Sequence, residues 1–191
     1  RRSSDLLRSV RDQMCHQSLA AFDATWGDEP RAQVEAALLA TARPFSAAAW
    51  HDVEMRLDAY ADRWHEQHEL ACAATERGTQ SEALLDLRLS CLATRRQAFG
   101  ALVDELSTAD AAVAQRAPRA VAGLPELEAC AELAVLTGNR QRDAALGEAA
   151  RLGAPALEEL RSRTRTRFEL GRYEASRELA QRLLERAQAL S

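Results

Sequence analysis

The chain has 191 residues, with 25 basic and 29 acidic side chains and a formal charge of −4. That length buries a real core, either as one large helical domain or as a small domain with an appended module. The mild acidic balance gives no reason to expect nucleic acid, no window approaches the roughly 18–20 uncharged apolar residues of a membrane helix, and no signal-peptide pattern opens the chain.

All 25 basic residues are arginine, and neither lysine nor isoleucine occurs. This reads as a coding bias, not as a binding signature. Alanine, leucine and arginine dominate, which favours helix. Ser3 or Ser4 caps a first helix to about Thr25, with Leu6, Leu7, Val10, Met14 and Phe22 facing inward. Gly27 ends it. Asp28 or Glu29 precedes Pro30, a first-turn proline, and a second helix runs through Val34, Leu38 and Leu39 to about Thr41. Pro44 breaks the chain, and Ser46 is placed to cap a third helix reaching about Arg77.

Along that third helix Trp50, Val53, Leu57, Tyr60, Trp64 and Ala71 recur at helical spacing, with a gap near Gln67 and His68. The spacing predicts one apolar stripe on a long helix. Gly78 is suited to stop it in the left-handed conformation, and Ser81 to cap the next helix. The stripe of that next helix reads Leu85, Leu89, Leu92, Phe99, Val103 and Leu106. A connection this short between two long amphipathic helices forces an antiparallel hairpin over about 46–107.

Beyond it, Thr108 or Asp110 opens a shorter helix to about Ala122, and Gly123 with Pro125 marks a turn. Glu126–Leu136 reads as a helix, Thr137-Gly138-Asn139 as a turn, and Arg140–Leu152 as a weakly patterned helix. Gly153 and Pro155 punctuate the start of a final pair, Pro155–Leu170 and Tyr173–Leu190. No convincing strand appears. The expected fold is all-α: an antiparallel helical bundle over 1–137, a connecting helix or linker over 138–153, and a repeat-like pair over 154–191.

The final pair contains RFELGRYEASRELAQRLLERA, which resembles a tetratricopeptide (TPR) repeat. On this reading Gly171 makes the tight turn, Tyr173 is the aromatic plug, and Ser176 and Ala180 allow close helix approach. Leu183 departs from the pattern, where a small residue is usual. One such unit cannot bury its faces alone, so it is expected to stack on the upstream helices and to be followed by further repeats. Lacking an initiating methionine and ending inside a repeat-like unit, the chain reads as part of a longer protein.

Four cysteines, Cys15, Cys72, Cys91 and Cys130, are widely spaced, and no CxxC occurs. They read as small buried hydrophobes or, in an oxidising compartment, as disulfides. His65 and His68, with Asp62, Glu66 and Glu69, form the one metal-like cluster. HEQH is a residue short of the HExxH zinc motif, and i,i+3 histidines share a metal only if their rings converge. Ordinary surface and boundary residues are the simpler reading; a metal-dependent hydrolase using His65 and His68 is the remote one.

No nucleophile is flanked by an oxyanion-type glycine turn, and the eight glycines are scattered singly, so nothing cradles a phosphate. No enzyme activity and no cofactor are expected. Arg161, Arg163, Arg165 and Arg167 lie within helical reach of Glu158, Glu159 and Glu169, which predicts a solvated, salt-bridged face. The sharpest loop is RGTQSE, Arg77 to Glu82. It reads as a helix stop followed by a cap, with Arg77, Thr79 and Gln80 as alternative partner contacts.

The chain resembles the region joining the membrane segment to the TPR array in large serine/threonine protein kinases of myxobacteria and related bacteria. The resemblance rests on Cys15, Trp26, LATARPF ending at Phe45, Trp50, Val53 and LDAYADRW ending at Trp64. It continues through Ala71-Cys72, Ala74-Thr75, RGTQSEALLDLRLSCL (Arg77 to Leu92), Leu102-Val103, Ala109-Asp110, LPELEAC ending at Cys130 and the repeat-like end. In that family a cytoplasmic kinase domain and a single membrane span come first. The resemblance therefore implies an extracytoplasmic module, with the cytoplasmic side as the alternative. No kinase motif lies in the chain itself.

An extracytoplasmic position permits two disulfides. Cys72 and Cys91 lie about five and ten residues from the hairpin tip, an axial mismatch of about 7 Å that disfavours their pairing. The pairing expected under the resemblance is Cys15–Cys72 with Cys91–Cys130. The expected function is a non-enzymatic sensor or scaffold module that binds a protein or peptide, with membrane attachment only through another part of the parent. The alternative is a small-ligand receptor with a pocket lined by Trp50, Tyr60 and Trp64. The oligomeric state is left open. Mass mapping of a non-reduced digest should return both expected cross-linked peptide pairs; four free thiols would overturn the pairing.

Overall fold

The computed structural model describes residues 2–144 and 148–190, with side chains described at 9–138, 141 and 153–190. Among these residues the chain is all-α. The helices are α1 (Arg2–Asp23), α2 (Asp28–Ala40), α3 (Ser46–Glu76), α4 (Glu82–Leu106), α5 (Ala111–Ala122), α6 (Leu133–Ala144), α7 (Glu148–Glu169) and α8 (Tyr173–Ala189). A single 3-10 turn, Glu128–Cys130, separates α5 from α6.

The antiparallel α3–α4 hairpin is the spine. At 31 residues α3 spans about 46 Å, and α1, α2 and α5 pack along it. Its stripe is buried as the spacing predicts, and His68 fills the gap between Trp64 and Ala71. On α4, Leu85, Leu92, Phe99, Val103 and Leu106 are buried to match. Gly78 turns the chain at φ +72°, and the Ser81 side chain accepts a hydrogen bond from Leu84 N. Asp110 caps α5 in the same way, accepting from Val113 N at 2.8 Å. Helix α7 packs on α4 and α5, and α8 packs on α7.

One apolar cluster joins the bundle, and aromatic rings form its centre. Phe22 stacks on Trp64 at 4.2 Å between centroids, Phe99 lies 5.3 Å from Phe22, and Tyr60 stacks on Phe99 at 5.4 Å. Each polar handle finds a partner, as burial demands. The Trp64 indole donates to Leu92 O at 3.0 Å, the Tyr60 hydroxyl to Pro125 O at 3.0 Å, and the Trp26 indole to Asp58 Oδ1 at 2.8 Å.

Several local expectations give way to tertiary contacts. Val10 is 48% exposed, because α1 turns the stripe of Arg11, Cys15 and Phe22 toward its neighbours; Leu6 and Leu7 lie outside the described side chains. Ser46 does not cap α3. Its hydroxyl instead accepts from Arg43 N and pairs with Thr41 Oγ1, fastening the α2–α3 corner. The stretch 126–136 is not one helix, because Leu127 and Cys130 are buried against the bundle and Glu126 O accepts from Arg95. Regular helix starts only at Leu133 and runs through Thr137-Gly138-Asn139 with no turn there. Gly153 and Pro155 lie inside α7 and do not precede it. Gly153 lies against the Leu190 side chain that follows α8.

The α7–α8 turn has Gly171 at φ +78°. Ser176 is buried and donates to Thr164 O at 2.9 Å, with Leu179 as the second buried α8 residue. Ala180 and Tyr173 are exposed, so neither fills the role read for it from the repeat pattern. The turn is seated by Glu105, whose buried carboxylate accepts from Arg167 at 2.6 Å and Arg172 at 2.7 Å. Removing one partner of a buried ion pair leaves uncompensated charge. Glu105→Ala is expected to cost about 2–3 kcal/mol in denaturant unfolding, below the fully buried range because both guanidiniums are over a quarter exposed. A loss under about 0.5 kcal/mol, the scale of exposed pairs, would show that the turn is held otherwise.

Candidate functional site

The hairpin tip is occupied by its own contacts. Gln80 donates to Ala71 O and Thr75 Oγ1 at 2.8 and 2.7 Å, and accepts from Arg88 at 3.1 Å. Thr79 Oγ1 donates to Ala74 O at 2.9 Å, and Arg77 is the C-cap of α3. Arg77 and Thr79 remain exposed at the tip, while Gln80 is half-buried.

The three aromatic residues read as pocket lining are core instead. Trp64 is fully buried, Trp50 is 8% exposed and Tyr60 is 4% exposed. Only Tyr60 reaches a surface depression, an open groove of about 480 Å³ that it shares with Arg56, Arg63 and the segment 121–128. Burial pushes the Tyr60 phenol far above its ordinary pKa, so it stays a neutral hydrogen-bond donor. A second cleft, between α4, the α5–α6 connection and α7, encloses about 50 Å³. That is well below the roughly 300 Å³ at which pockets accept drug-sized ligands.

His65 and His68 take separate partners. His65 Nε2 lies 2.9 Å from Asp23 Oδ1 at the half-exposed α1–α3 seam. His68 is buried, stacks on Trp64 at 5.2 Å, and places Nε2 3.8 Å from Cys72 Sγ. Cys72 is bonded to Cys15, and Cys91 to Cys130; no cysteine is free. The first bridge joins α1 to α3, and the second joins α4 to the 3-10 turn. Cys15, Cys72 and His68 hold their ligand atoms within 4.8 Å of one another. Sequence reading separated His68 from the cysteines. The signal available was the i,i+4 step from His68 to Cys72 on the core face, with Cys15 supplied only by the fold.

The arginine run on α7 is salt-bridged. Arg161 reaches Glu158 at 3.5 Å, Arg163 reaches Glu159 at 3.5 Å, and Arg165 reaches Glu169 at 3.0 Å. Arg167 departs from this exposed face to meet Glu105. Across the turn, Phe168 and Tyr173 are 61% and 57% exposed and meet edge to face at 5.4 Å. With Ala180 and Leu184, Tyr173 follows helical spacing along one exposed side of α8, which also carries Arg177. No helix among the described residues is long and apolar enough to cross a membrane. No protein-family model, curated protein or solved structure matches the chain. What fold and site define is therefore an all-α bundle carrying a helical pair with an exposed aromatic face.

Burial lowers the pKa of His68 below its usual 6.5, against the raising effect of a hydrogen bond to the Cys15 main chain. In the unfolded chain the same imidazole protonates first. Stability is therefore full above about pH 6.5 and falls as pH drops toward the depressed folded value. Unfolding midpoints from pH 8 to 5 should show this acid loss, and His68→Gln should flatten it. Parallel acid limbs in the two proteins would contradict the assignment.

Proposed function

We propose that the chain is a non-enzymatic recognition and scaffold module of a membrane-anchored signalling protein, placed outside the cytoplasm and binding a protein or peptide. The observation that carries this reading is the exposure of Phe168, Tyr173 and Leu184, the first two in ring contact, on a helical pair whose turn is locked to the bundle. Large apolar side chains grouped on a soluble surface mark interaction sites more often than chance. Aromatic anchors on a rigid element recognise partners with little loss of conformational freedom.

Two further observations support the placement. Both cysteine pairs are bridged, a pattern suited to an oxidising compartment. The resemblance to the region between membrane span and TPR array in myxobacterial-type kinases supports a membrane-anchored parent and further repeats beyond α8. The α4–α7 cleft is small and the larger groove beside Tyr60 is open to solvent, surface shapes that suit a macromolecular partner better than a drug-sized ligand.

Selection from a peptide-display library on the oxidised protein should enrich sequences that bind this face. Tyr173→Ser and Leu184→Glu, each expected to keep the helical circular dichroism, should weaken the enriched peptides about 30-fold, as loss of a ~2 kcal/mol anchor does. Failure of any sequence to enrich, or enrichment indifferent to both substitutions, would count against the proposal.

A further inference from the structure

The Cys15–Cys72 bridge has a neighbour that an inert cross-link does not need. His68 is buried to 5% exposure on the α1-facing side of α3, and its Nε2 is directed at Cys72 Sγ, 3.8 Å away. The same ring stacks on Trp64 at 5.2 Å between centroids, which fixes its plane. A histidine whose ring is fixed by its surroundings is oriented to offer one nitrogen to a metal. The Cys15, His68 and Cys72 trio is the one such ligand group among the described residues.

The dimensions suit a tetrahedral ion. Bond lengths of ~2.3 Å to sulfur and ~2.0 Å to nitrogen give a sulfur–nitrogen edge of ~3.5 Å and a sulfur–sulfur edge of ~3.8 Å. The observed 3.8 Å between Cys72 Sγ and His68 Nε2 lies within about 0.3 Å of the first edge. Opening the bridge supplies the second by separating the two sulfurs, which sit on different helices. Both cysteines are half-buried, and the bridge opens onto a groove of about 300 Å³ lined also by Arg11, Asp12, His16 and Glu76. Arg11, in the lining of that groove, is paired with Asp12 at 2.7 Å. The second bridge differs: its Cys130 is 1% exposed, and no histidine joins it.

We propose that Cys15, Cys72 and His68 form a redox-gated site for a thiophilic divalent cation of the zinc class, closed while the bridge is intact and opened by a dithiol reductant. The donor gives two electrons and two protons to the bridge. The S–S bond breaks, two S–H bonds form, and the donor closes its own disulfide. The cation then displaces both thiol protons to solvent and takes two sulfurs and His68 Nε2, with water as fourth ligand. In this chemistry the metal replaces the covalent link between α1 and α3, so the helices stay joined in either state.

Limiting phosphine should reduce Cys15–Cys72 first and leave the helical circular dichroism intact. Added Co²⁺ should then give one thiolate-to-cobalt charge-transfer band per chain, displaced by Zn²⁺ and absent from the oxidised protein. Zn²⁺ should protect Cys15 and Cys72, but not Cys91 and Cys130, from alkylation, as read by peptide mass mapping of the fully reduced protein. His68→Gln should weaken Co²⁺ binding more than about tenfold, the scale on which even outer-shell partners act. Collapse of helicity on selective reduction, absence of the band, protection of the other cysteine pair, or unchanged binding in His68→Gln would each overturn the proposal.

Discussion

The bundle depends on Trp64. Its ring stacks on Phe22 of α1, its indole N–H reaches Leu92 O on α4, and its other contacts run to His68 on its own helix. One fully buried side chain thus joins three helices. Its donor fixes the axial register of the hairpin as well as its spacing. A leucine at this position would supply area but no directional bond, and two amphipathic helices joined by area alone slide more freely past each other. Phe99 and Tyr60 extend the same cluster toward α5, where the Tyr60 hydroxyl holds the Pro125 carbonyl.

Two ionic clasps secure what the aromatic centre leaves loose. At one end Arg31 on α2 bridges Glu54 and Asp58 on α3 and lies over the Trp26 ring at 5.1 Å, so the corner after α1 is held by charge and by cation–π contact. At the other, Glu105 gathers Arg167 and Arg172 from both sides of the α7–α8 turn. The clasps differ in exposure. Arg31 and its partners are about one-third exposed, which weakens them in salt, whereas Glu105 is nearly closed off from water. The orientation of the C-terminal pair is therefore the less salt-sensitive of the two.

The spine was legible because α3 and α4 carry their own period. Trp50 to Ala71 and Leu85 to Leu106 mark buried faces without help from elsewhere, and Gly78 with Ser81 marks the turn by local chemistry. The misread segments share a cause. At 126–130 a disulfide and a buried leucine hold the chain against forming a regular helix, and at Gly153 and Pro155 the helix α7 continues through a turn signal. The hydroxyl of Ser46 offered a cap that the α2–α3 corner took for itself. Ala180 was assigned to the helix contact by analogy with a repeat, but the rotation set by Ser176 puts Leu179 there. The ligand trio was half visible. His68 and Cys72 are one helical turn apart, but Cys15 comes from a helix whose rotation no local pattern specifies.

The two bridges do not interleave: Cys15–Cys72 closes before the chain reaches Cys91, and Cys91–Cys130 closes within the part that follows. Four cysteines allow three connectivities, and this is the one in which each cysteine takes the next in order. Within this stretch Cys72 is the first thiol to follow Cys15, and their loop is complete before the chain reaches Cys91. Pairing in chain order therefore suffices to reach this connectivity, with no exchange of partners between the two bridges.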